Sequence, residues 1–594
     1  MTQSTITPRD RETQSSTPFL RYTVAMPQPQ THLFEVTLEI SDWQLPGLDL
    51  KMPVWTPGSY LVREYAKQVQ ELNATNSDSA EPLTSRKIAK NHWQIDTSDC
   101  ESVTVTYRVF ANELTVRTNH LDATHGYFNG AALFFFVPGW EQEAIEVAIA
   151  LPDSNWQITT PLDALPGQKN VFVAPDLDTL VDSPFEIGIH ETYDFEALGK
   201  PHQWAIWGKG NINPDLIIED TKKIIEVEAQ IYGNLPYERY IFLLHLSGSG
   251  YGGLEHKNAC SLNYPRLGFR NKERYNRFMQ LVAHEFFHLW NVKRIRPHAL
   301  EKFDYERECY TTSLWFCEGT TSYYDTLIPH WAEIYDERAF FEAISKDISR
   351  FLLTPGRKVQ PVSESSFDAW IKLYRRDANS DNSQISYYLK GAMVSLLLDL
   401  KIRALHRNAR SLNDVLRKMW QQFGKDEIGF TEEQLKSIIE SVAECDLSDF
   451  FSQYVDGTEE LPFDEYLKPF GLQIKPVNSK EEIPHTGLKI NSNSSPAKIQ
   501  FVEMDSPASI AGIDAGDELL AIDGFRVTAD KFNERLQDYQ AGDEIEATIF
   551  HQDELKTYKL KLGQSQPTGY KLAKMKSLDE DQKALLNGWL QFKA

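Results

Sequence analysis

The segment HEFFH, residues 284–288, carries three side chains that could perform hydrolytic chemistry. Residues four apart lie one turn from each other on one face of a helix, so His284 and His288 can direct ring nitrogens at the same metal ion. Glu285 lies beside them, within reach of a water molecule at that ion. Zinc takes imidazole ligands and keeps an open position in catalytic sites. The pattern predicts one Zn²⁺ ion, with Glu285 as the base that activates the attacking water.

The alternative for this motif is a pair of histidines on a solvated helix face. The neighbouring positions argue against it, because they are apolar and predict a largely buried helix over 276–292 with the motif in its middle. These neighbours are Phe278, Leu281, Val282 and Phe286.

A catalytic zinc site needs a third protein ligand, and the segment SLWFCEGTTSYYD, residues 313–325, supplies the best candidate. Glu318 follows Trp315 and Phe316, and a glutamate in apolar surroundings is costly unless it is paired or bound to metal. Glu306 and Glu308 are rivals, but they lie in a polar stretch typical of a surface. The sequence therefore favours Glu318.

Asp325 lies seven residues after Glu318, two turns along the same helix face. A carboxylate there could accept a hydrogen bond from the ring N–H of a metal-binding histidine. An acidic residue exposed on a helix surface is an alternative interpretation of Asp325 with equal weight.

The chain that positions these residues is too long, at 594 residues, for one core, so we expect several domains and a multidomain α+β fold. Residues 1–18 are polar and predict a flexible tail. Residues 19–194 contain short alternating runs broken by turn residues, which indicates a β-sandwich-like domain. Strands are predicted at 32–40, 102–110, 143–151 and 169–174.

Residues 195–470 form the predicted catalytic domain, whose second half becomes a helical extension. Helices are predicted near 219–232, 276–292, 311–327, 336–352, 385–405, 411–423 and 431–443, with a strand at 240–246. Residues 475–565 return to short strands and turns. The polar tail 566–594 is expected to hold one short helix at 577–592.

Composition excludes several classes of function. The formal net charge of −24 argues against a nucleic-acid partner, which would need clustered Lys and Arg. The sequence has no run of 18 apolar residues, so no membrane span is predicted. The five cysteines are widely spaced and suggest a reducing compartment rather than a disulfide framework. We expect a soluble, cytoplasmic protein, and the sequence does not specify its oligomeric state.

HEFFHLW followed by LWFCEGTTSYY resembles the gluzincin peptidases, in which a W-x-x-E-G segment carries the third zinc ligand. The wider context is similar to the glycyl aminopeptidase family, whose members carry a PDZ domain. The segments behind this resemblance are PVWTPGSY (53–60), VRTNHLDATHGYFNG (116–130), GGLEHKNA (252–259), HEFFHLWNVKRIRP (284–297), LWFCEG (314–319) and YYLKGAM (387–393). The resemblance implies a thermolysin-like zinc catalytic domain. The third ligand of the commoner gluzincin aminopeptidases would fall at Arg307, which cannot bind zinc, so an insertion must separate Glu318 from the histidines.

The resemblance also suggests how a peptide would be held. YGGLEH follows a predicted strand, and the small residues Gly252 and Gly253 would let an extended peptide pair with this edge. Glu255 would meet the free α-amine of the substrate, as in the G-x-M-E-N segment of related aminopeptidases. His256 replaces the asparagine of that segment, which puts strict exopeptidase action in question. The alternative is a Gly-Gly turn with a solvated glutamate.

In YYLKG, residues 387–391, Tyr388 matches the tyrosine of a related Y-E-K-G segment that donates a hydrogen bond to the oxyanion. Tyr387 is the adjacent candidate, and the alternative for both is a pair of packed aromatic side chains.

SPASIAGIDAGDELLAIDG, residues 506–524, resembles a PDZ-domain segment. Asp523 and Gly524 predict the turn of a hairpin. TGLKI, residues 486–490, would then supply the peptide loop through Gly487 and Leu488, and such domains bind the C-terminal tail of a partner by strand addition. A structural appendage is the equal alternative.

The leading hypothesis is a zinc aminopeptidase that acts on peptide substrates, with a preference for small first residues such as glycine implied only by the family. The alternatives are a PDZ-directed zinc endopeptidase, a non-catalytic peptide-binding scaffold and a hydrolase of non-peptide substrates. An intact Glu285 argues against the scaffold, because a pure binder does not need it.

Overall fold

The computed structural model describes residues 20–479, 482–491 and 496–592, so the predicted tail at 1–18 lies outside the described residues. The chain divides into two compact units. The first comprises residues up to Thr56 together with Arg63–His190, and the second comprises Pro57–Val62 together with Glu191 onwards. The short segment Pro57–Val62 is therefore part of the second unit although it lies within the sequence of the first.

The first unit is rich in β-structure, as the alternating sequence pattern predicts. In β2, for example, every second side chain is buried, which places one face of the strand against the core. Its strands are β1 (Leu20–Ala25), β2 (Leu33–Ile40), β3 (Gly47–Lys51), β4 (Val69–Asn76), β5 (Ser85–Ala89), β6 (His92–Asp96), β7 (Val103–Phe110), β8 (His120–Leu121), β9 (His125–Phe128), β10 (Ile145–Ala150), β11 (Gln157–Thr159), β12 (Asp163–Ala164), β13 (Val171–Ala174) and β14 (Phe185–Gly188).

Three sheets form from these strands. The largest has the order β12-β13-β10-β1-β2-β7-β4, and smaller sheets have the orders β3-β6-β5 and β11-β14-β9-β8. The pairing of β1 with β10 is parallel, whereas the neighbouring pairs are antiparallel. Two short helices, α1 (Gly130–Leu133) and α2 (Leu177–Val181), complete the unit.

The second unit begins with a mixed five-stranded sheet. Its strands are β15 (Glu191–Ala197), β16 (Lys200–Trp207), β17 (Tyr240–Ser247), β18 (Gly252–Glu255) and β19 (Ala259–Pro265). They are arranged in the order β15-β16-β17-β19-β18, so β18 lies at an edge of this sheet and pairs antiparallel with β19.

Helices pack on this sheet and form most of the chain up to residue 467, in agreement with the predicted change from mixed to helical structure. They are α3 (Pro214–Tyr232), α4 (Lys272–Phe287), α5 (Thr321–Trp331), α6 (Glu337–Leu352), α7 (Val362–Phe367), α8 (Ser380–Ser383), α9 (Tyr387–Leu405), α10 (Leu412–Met419), α11 (Glu432–Ala443), α12 (Ser448–Phe450) and α13 (Phe463–Leu467), with short 3₁₀ turns at His298–Leu300, Pro355–Lys358, Asp368–Trp370 and Lys468–Phe470, and π-helical turns at Trp315–Thr320, Trp420–Gly424 and Phe451–Val455.

The predicted helix over 276–292 ends earlier, at Phe287, so the HEFFH motif lies at its C-terminal end rather than in its middle. After this point the helical turns become wider, because the backbone hydrogen bonds span five residues instead of four. The N–H of Lys293 donates to the carbonyl of His288, and the N–H of Ile295 donates to the carbonyl of Trp290. The apolar pattern that suggested a longer helix reflects burial of the following loop, in which Leu289, Trp290 and Ile295 are all inaccessible to solvent.

Two glycines bring the elements around the site into close approach. A side chain on Gly319 would lie 2.5 Å from the Cα of Gly391, and one on Gly391 would lie 2.5 Å from the carbonyl oxygen of Trp315. The turn Trp315–Thr320 and α9 therefore pack backbone against backbone, as small residues permit.

The C-terminal part contains β20 (Leu472–Val477), β21 (Leu488–Ile490), β22 (Ala497–Val502), β23 (Glu518–Ile522), β24 (Phe525–Arg526), β25 (Glu544–His551), β26 (Glu554–Lys561) and β27 (Gly569–Lys574), with helices α14 (Pro507–Ala511), α15 (Phe532–Leu536) and α16 (Glu580–Leu590) and a 3₁₀ turn at Ala529–Lys531. One sheet has the order β21-β22-β23-β25-β26, with β24 on β23, and it encloses its own apolar core. Asp523 and Gly524 form the hairpin turn, both with positive φ.

The region after residue 565 contains more structure than the single helix expected from its polar sequence. β27 pairs antiparallel with β20 along six residues. Trp589 on α16 is fully buried, and its indole N–H donates to the hydroxyl of Tyr323, 2.9 Å away. This segment is consequently an integral part of the second unit.

Within the described ranges, no helix combines the length and the apolar character needed to cross a lipid bilayer. All five cysteines are free thiols.

Candidate active site

The two histidines of the motif are oriented by hydrogen bonds from their Nδ1 atoms. His288 Nδ1 donates to the carbonyl oxygen of Asn291 at 2.7 Å, and because a carbonyl can only accept, the Nε2 atom of this ring carries the free lone pair. His284 Nδ1 lies 2.9 Å from Oδ2 of Asp325, which orients the second ring in the same way. The predicted partner Asp325 thus lies beside a predicted ligand. Both rings present the nitrogen that a metal requires.

Glu318 lies where both free nitrogens converge. Its Oε2 atom is 3.5 Å from His284 Nε2 and 3.2 Å from His288 Nε2. Donors bound tetrahedrally to zinc at about 2.0–2.1 Å are separated by about 3.3 Å, so these three atoms have the spacing of a zinc ligand set. Two neutral nitrogens and one carboxylate oxygen are also the donor types of catalytic zinc sites.

The electrostatics of the three groups agree with this arrangement. Burial by itself would raise the pKa of Glu318, but the two imidazoles lower it to about 2, so the carboxylate is ionised. Glu318 is 1% exposed, and its ion-pair partners within the described part of the chain are the two imidazoles of His284 and His288. A buried carboxylate between two imidazoles is stabilised further when a cation occupies the space between them.

Asn291 holds the histidine and glutamate segments together and was not predicted from the sequence. Its carbonyl accepts from His288, while its side-chain N–H₂ donates to the carbonyls of Phe316 and Cys317 at 3.0 and 3.2 Å. Those carbonyls lie in the π-helical turn that carries Glu318. A buried asparagine within the apolar run HLWNV was the signal in the sequence, because such a side chain needs partners.

Glu285 and Glu255 form a pair of acidic side chains beside the predicted metal ligands. Glu285 Oε, Glu255 Oε and a ring nitrogen of His288 all lie within 4.8 Å of one another. Glu255 Oε1 and Glu285 Oε2 are buried without a hydrogen-bond partner among the described residues. Burial raises the pKa of Glu285 to about 7, with Glu255 contributing in the same direction and the two imidazoles opposing it. This pocket is therefore suited to a positively charged group.

Glycines make room for both carboxylates. Gly253 on β18 packs directly against Glu285, so that a Cβ at this position would overlap the carboxyl group. Gly58, in the segment Pro57–Val62, has φ of +83°, and a Cβ there would lie 2.5 and 2.6 Å from the two carboxylate oxygens of Glu255. Gly252 lies at the start of β18, at an edge of the sheet. The contribution of Gly58 was not predicted.

Tyr388 lies at the first turn of α9, beside the predicted metal ligand His284. Its ring stacks on that of His284 with centroids 6.2 Å apart, and its hydroxyl is 3.3 Å from the hydroxyl of Tyr374. Burial, followed by the charge of Glu318, raises the pKa of Tyr388 well above its ordinary value, so the phenol keeps its proton. Tyr387 is fully buried and stacks on Tyr388 with a centroid distance of 4.7 Å. Tyr374 was not among the predicted residues.

The rival ligands are placed differently. Glu306 is exposed, and Arg307 forms an ion pair with Asp304.

In the C-terminal part, the predicted peptide loop contains Gly487, which has φ of +79° and whose carbonyl accepts from the N–H of Glu503 at 2.8 Å. Leu488 begins β21, which lies at the edge of its sheet.

Comparison with known proteins places the chain in a family. A model of the peptidase M61 N-terminal domain matches residues 21–189, and a model of the M61 glycyl aminopeptidase matches residues 277–394. The solved structure of an aminopeptidase N family protein from Idiomarina loihiensis is 31% identical, with 96% of this chain and 100% of that chain covered and a TM-score of 0.90. This chain belongs to the family of that relative, the aminopeptidase N family, and it carries peptidase M61 (glycyl aminopeptidase) family domains at residues 21–189 and 277–394.

More distant similarity links the chain to an M1 zinc metallopeptidase from Deinococcus radiodurans. One structure of that protein, a variant bound to a Tyr-Ser-Ala substrate, is 13% identical, with 75% of this chain and 94% of that chain covered and a TM-score of 0.45. A second structure of that protein has the same identity and coverage with a TM-score of 0.46. No curated protein matches the sequence.

Proposed function

We propose that this protein is a zinc-dependent aminopeptidase that removes the first residue of peptides, and that His284, His288 and Glu318 hold the single zinc ion. The observation that carries the proposal is the convergence of His284 Nε2 and His288 Nε2 on one carboxylate oxygen of Glu318, at 3.5 and 3.2 Å. The match of residues 277–394 to the M61 glycyl aminopeptidase model supports peptide hydrolysis as the reaction.

Zinc in this position would supply a Lewis acid that polarises the scissile carbonyl and makes a water molecule more acidic. The chain's own part of the reaction falls first to Glu285. Its carboxylate is buried beside the ligands and has an oxygen free of protein partners, so it can take the proton of the attacking water and later deliver it to the leaving amine. Tyr388, with its proton retained, would donate a hydrogen bond to the oxygen on which negative charge develops.

Glu255 is proposed to hold the α-ammonium group of the substrate. Two nearby carboxylates repel each other, and a cation between them removes that repulsion, which favours a free amino terminus next to Glu255 and Glu285. The extended substrate backbone would run beside the edge strand β18, which carries Gly252 and Gly253. A preference for glycine or another small first residue, and recognition of a C-terminal peptide by Gly487 and Leu488 in a PDZ-like domain, remain proposals implied by the family.

The test is a comparison of free and N-acetylated peptides of one sequence, with the purified protein before and after chelator treatment and after zinc is restored. We expect hydrolysis of the free peptide only, loss with chelator and recovery with zinc. Equal hydrolysis of both peptides would indicate an endopeptidase. Absence of hydrolysis with zinc bound would favour a peptide-binding scaffold.

Three variants separate the roles of the acidic residues. Glu285→Gln should retain zinc and lose at least roughly a thousandfold in kcat. Glu318→Gln should lose zinc, whereas Glu306→Gln, the matched control at the rival position, should keep both metal and activity. Glu255→Gln should lower kcat/KM for peptides with a free amino terminus selectively, because the charge-assisted contact to the α-ammonium group is removed. A metal-bound, active Glu318→Gln variant would contradict the ligand assignment.

A further inference from the structure

The hydroxyl group of Tyr388, the proposed donor to the oxyanion, has a second phenol beside it. Tyr374 lies fourteen residues earlier, between the 3₁₀ turn Asp368–Trp370 and α8, and its side chain is half-buried. Its hydroxyl oxygen is 3.3 Å from that of Tyr388. Among the residues that the structure describes, Tyr374 is the hydrogen-bond partner of the Tyr388 hydroxyl. The two side chains therefore form a pair of phenols at the candidate active site.

The ring of Tyr388 is held in place by its neighbours, but these contacts do not orient its hydroxyl proton. Tyr387 stacks on this ring with a centroid distance of 4.7 Å, and His284 stacks on it at 6.2 Å. Stacking determines the position of the ring, whereas the hydroxyl proton can still rotate to suit its partners. A hydrogen bond accepted by the oxygen of Tyr388 therefore decides where its own proton can point.

The surroundings of the two hydroxyl groups determine which of them donates. Burial, followed by the negative charge of Glu318, raises the pKa of Tyr388. An oxygen that holds its proton more tightly is more basic and accepts a hydrogen bond more readily. This difference favours the hydroxyl of Tyr374 as the donor and the oxygen of Tyr388 as the acceptor. The proton of Tyr388 then remains available for another acceptor.

The segment that carries Tyr374 is attached to the rest of the second unit on both sides of this residue. Two positions earlier, Lys372 forms an ion pair with Asp368 at 2.7 Å. One position later, the guanidinium group of Arg375 donates to the carbonyl oxygen of Val62 at 3.5 Å. The phenol of Tyr374 is therefore presented to α9 by a segment with defined contacts.

We propose that Tyr374 is a positioning residue that donates a hydrogen bond to the oxygen of Tyr388 and so directs the Tyr388 proton towards the oxyanion of the substrate. This inference rests on the proposed aminopeptidase function. The 3.3 Å separation is longer than the about 2.7–2.8 Å of an ordinary O–H···O bond, and catalytic hydrogen bonds tighten when charge develops. Hydrogen bonds in a chain also strengthen one another. A contact that strengthens in the transition state raises kcat rather than lowering KM.

A double-mutant cycle on a peptide with a free amino terminus tests this role. Tyr374→Phe keeps the ring, so we expect kcat to fall by about tenfold while KM changes by less than about twofold. Tyr388→Phe should lower kcat by about a hundredfold. Adding Tyr374→Phe to Tyr388→Phe should then cost no more than about twofold, because no Tyr388 proton remains to be directed. Tyr310→Phe, at a phenol that is 44% exposed, is the matched control and should keep the kcat of the wild type.

Two results of the cycle would overturn the proposal. One is a wild-type kcat in Tyr374→Phe or in Tyr388→Phe. The other is a tenfold loss from Tyr374→Phe that is the same with and without the hydroxyl of Tyr388, because independent effects add. Melting temperatures check that every variant is folded.

A binding measurement separates failure of this inference from failure of the proposed reaction. Calorimetry of the zinc-loaded proteins uses a phosphinic analogue of the peptide, whose tetrahedral centre carries a negatively charged oxygen. The dissociation constant should be about tenfold higher for Tyr374→Phe than for the wild type, whether or not the wild type hydrolyses peptides. Equal binding by the two proteins would refute the role of Tyr374. Absence of hydrolysis by the wild type would instead count against the proposed function.

Discussion

Gly253 and Glu285 are in direct contact, and even a single carbon on Gly253 would occupy the space of the Glu285 carboxyl group. The edge strand β18 and the proposed base are therefore fitted to each other. Gly253→Ala should displace the carboxylate and lower kcat by roughly a hundredfold while zinc remains bound, because the atoms nearest to the new methyl group belong to Glu285 and not to a proposed ligand. Gly248→Ala is the control, because a Cβ there has nothing within 4 Å. Steady-state kinetics together with metal analysis distinguishes the two variants, and equal activity would show that the contact is dispensable.

The hydrogen bond between His284 and Asp325 should contribute to metal affinity. Asp325→Asn removes the negative charge that orients the ring and increases its basicity, so we expect zinc affinity to fall by about 10–100-fold. Competition with a chromophoric chelator measures this constant directly. Glu226→Gln, an exposed position of α3, should leave it unchanged. If Asp325→Asn binds zinc with wild-type affinity, Asp325 does not contribute to metal binding.

The contact between Gly319 and Gly391 predicts a stability effect that also reaches the site. Gly391→Ala introduces a methyl group 2.5 Å from the carbonyl oxygen of Trp315, which forces α9 away from the turn that carries Glu318. We expect a loss of about 1–3 kcal/mol in the free energy of unfolding, together with reduced activity. Lys401→Ala, on a half-exposed part of the same helix, should change stability by about 0.5 kcal/mol or less. Chemical denaturation measures both, and an unchanged midpoint for Gly391→Ala would contradict the close packing.

His202 should make the second unit sensitive to acid. Burial lowers its pKa from 6.5 to about 4, with Lys222 acting in the same direction, while its Nε2 contacts the hydroxyl of Tyr237 at 2.6 Å. Above pH 6.5 the ring is neutral in the folded and unfolded states. As the pH falls from 6.5 towards 4, only the unfolded chain takes up the proton, so the free energy of unfolding should decrease by up to about 3 kcal/mol.

His202→Gln should flatten this dependence between pH 6.5 and 4, because the side chain no longer titrates. His298→Gln, at a histidine whose side chain is 73% exposed, is the control and should follow the wild type. Melting temperatures recorded across this pH range compare the three proteins. Parallel curves for all of them would contradict the role of His202.

Asn382 attaches the C-terminal sheet to the catalytic region. Its side chain donates to the carbonyl of Val502 and accepts from the N–H of Met504, both at 2.9 Å. Asn382→Leu leaves both backbone groups unpaired, so the Met504 amide should exchange hydrogen at least about tenfold faster. Ser383→Ala, on the same short helix, should leave this exchange rate unchanged. Hydrogen-exchange mass spectrometry of peptides spanning Met504 tests the expectation, which an unaltered rate in Asn382→Leu would disprove.

The regular elements and the candidate ligands follow from local sequence patterns. Alternation of apolar residues predicts β2, β7, β10 and β13 because side chains in a strand point to opposite faces. The spacing of His284 and His288 places them on one helix face whatever the surrounding fold. Glu318 was favoured because a glutamate among apolar residues needs a partner, and the structure places it beside both rings. The end of α4 at Phe287 was missed because burial continues after the helix stops.

The sequence by itself determined the candidate metal-binding residue types, their order along the chain and the broad division into a β-rich part followed by a mixed and helical part. The tertiary structure alone decided that Gly58 lies on Glu255, that Asn291 joins His288 to the turn of Glu318 and that Tyr374 contacts Tyr388. Each of these contacts joins segments that are separate along the chain. Periodicity reports only which face of an element is buried, whereas the partner on that face depends on how the elements pack in three dimensions.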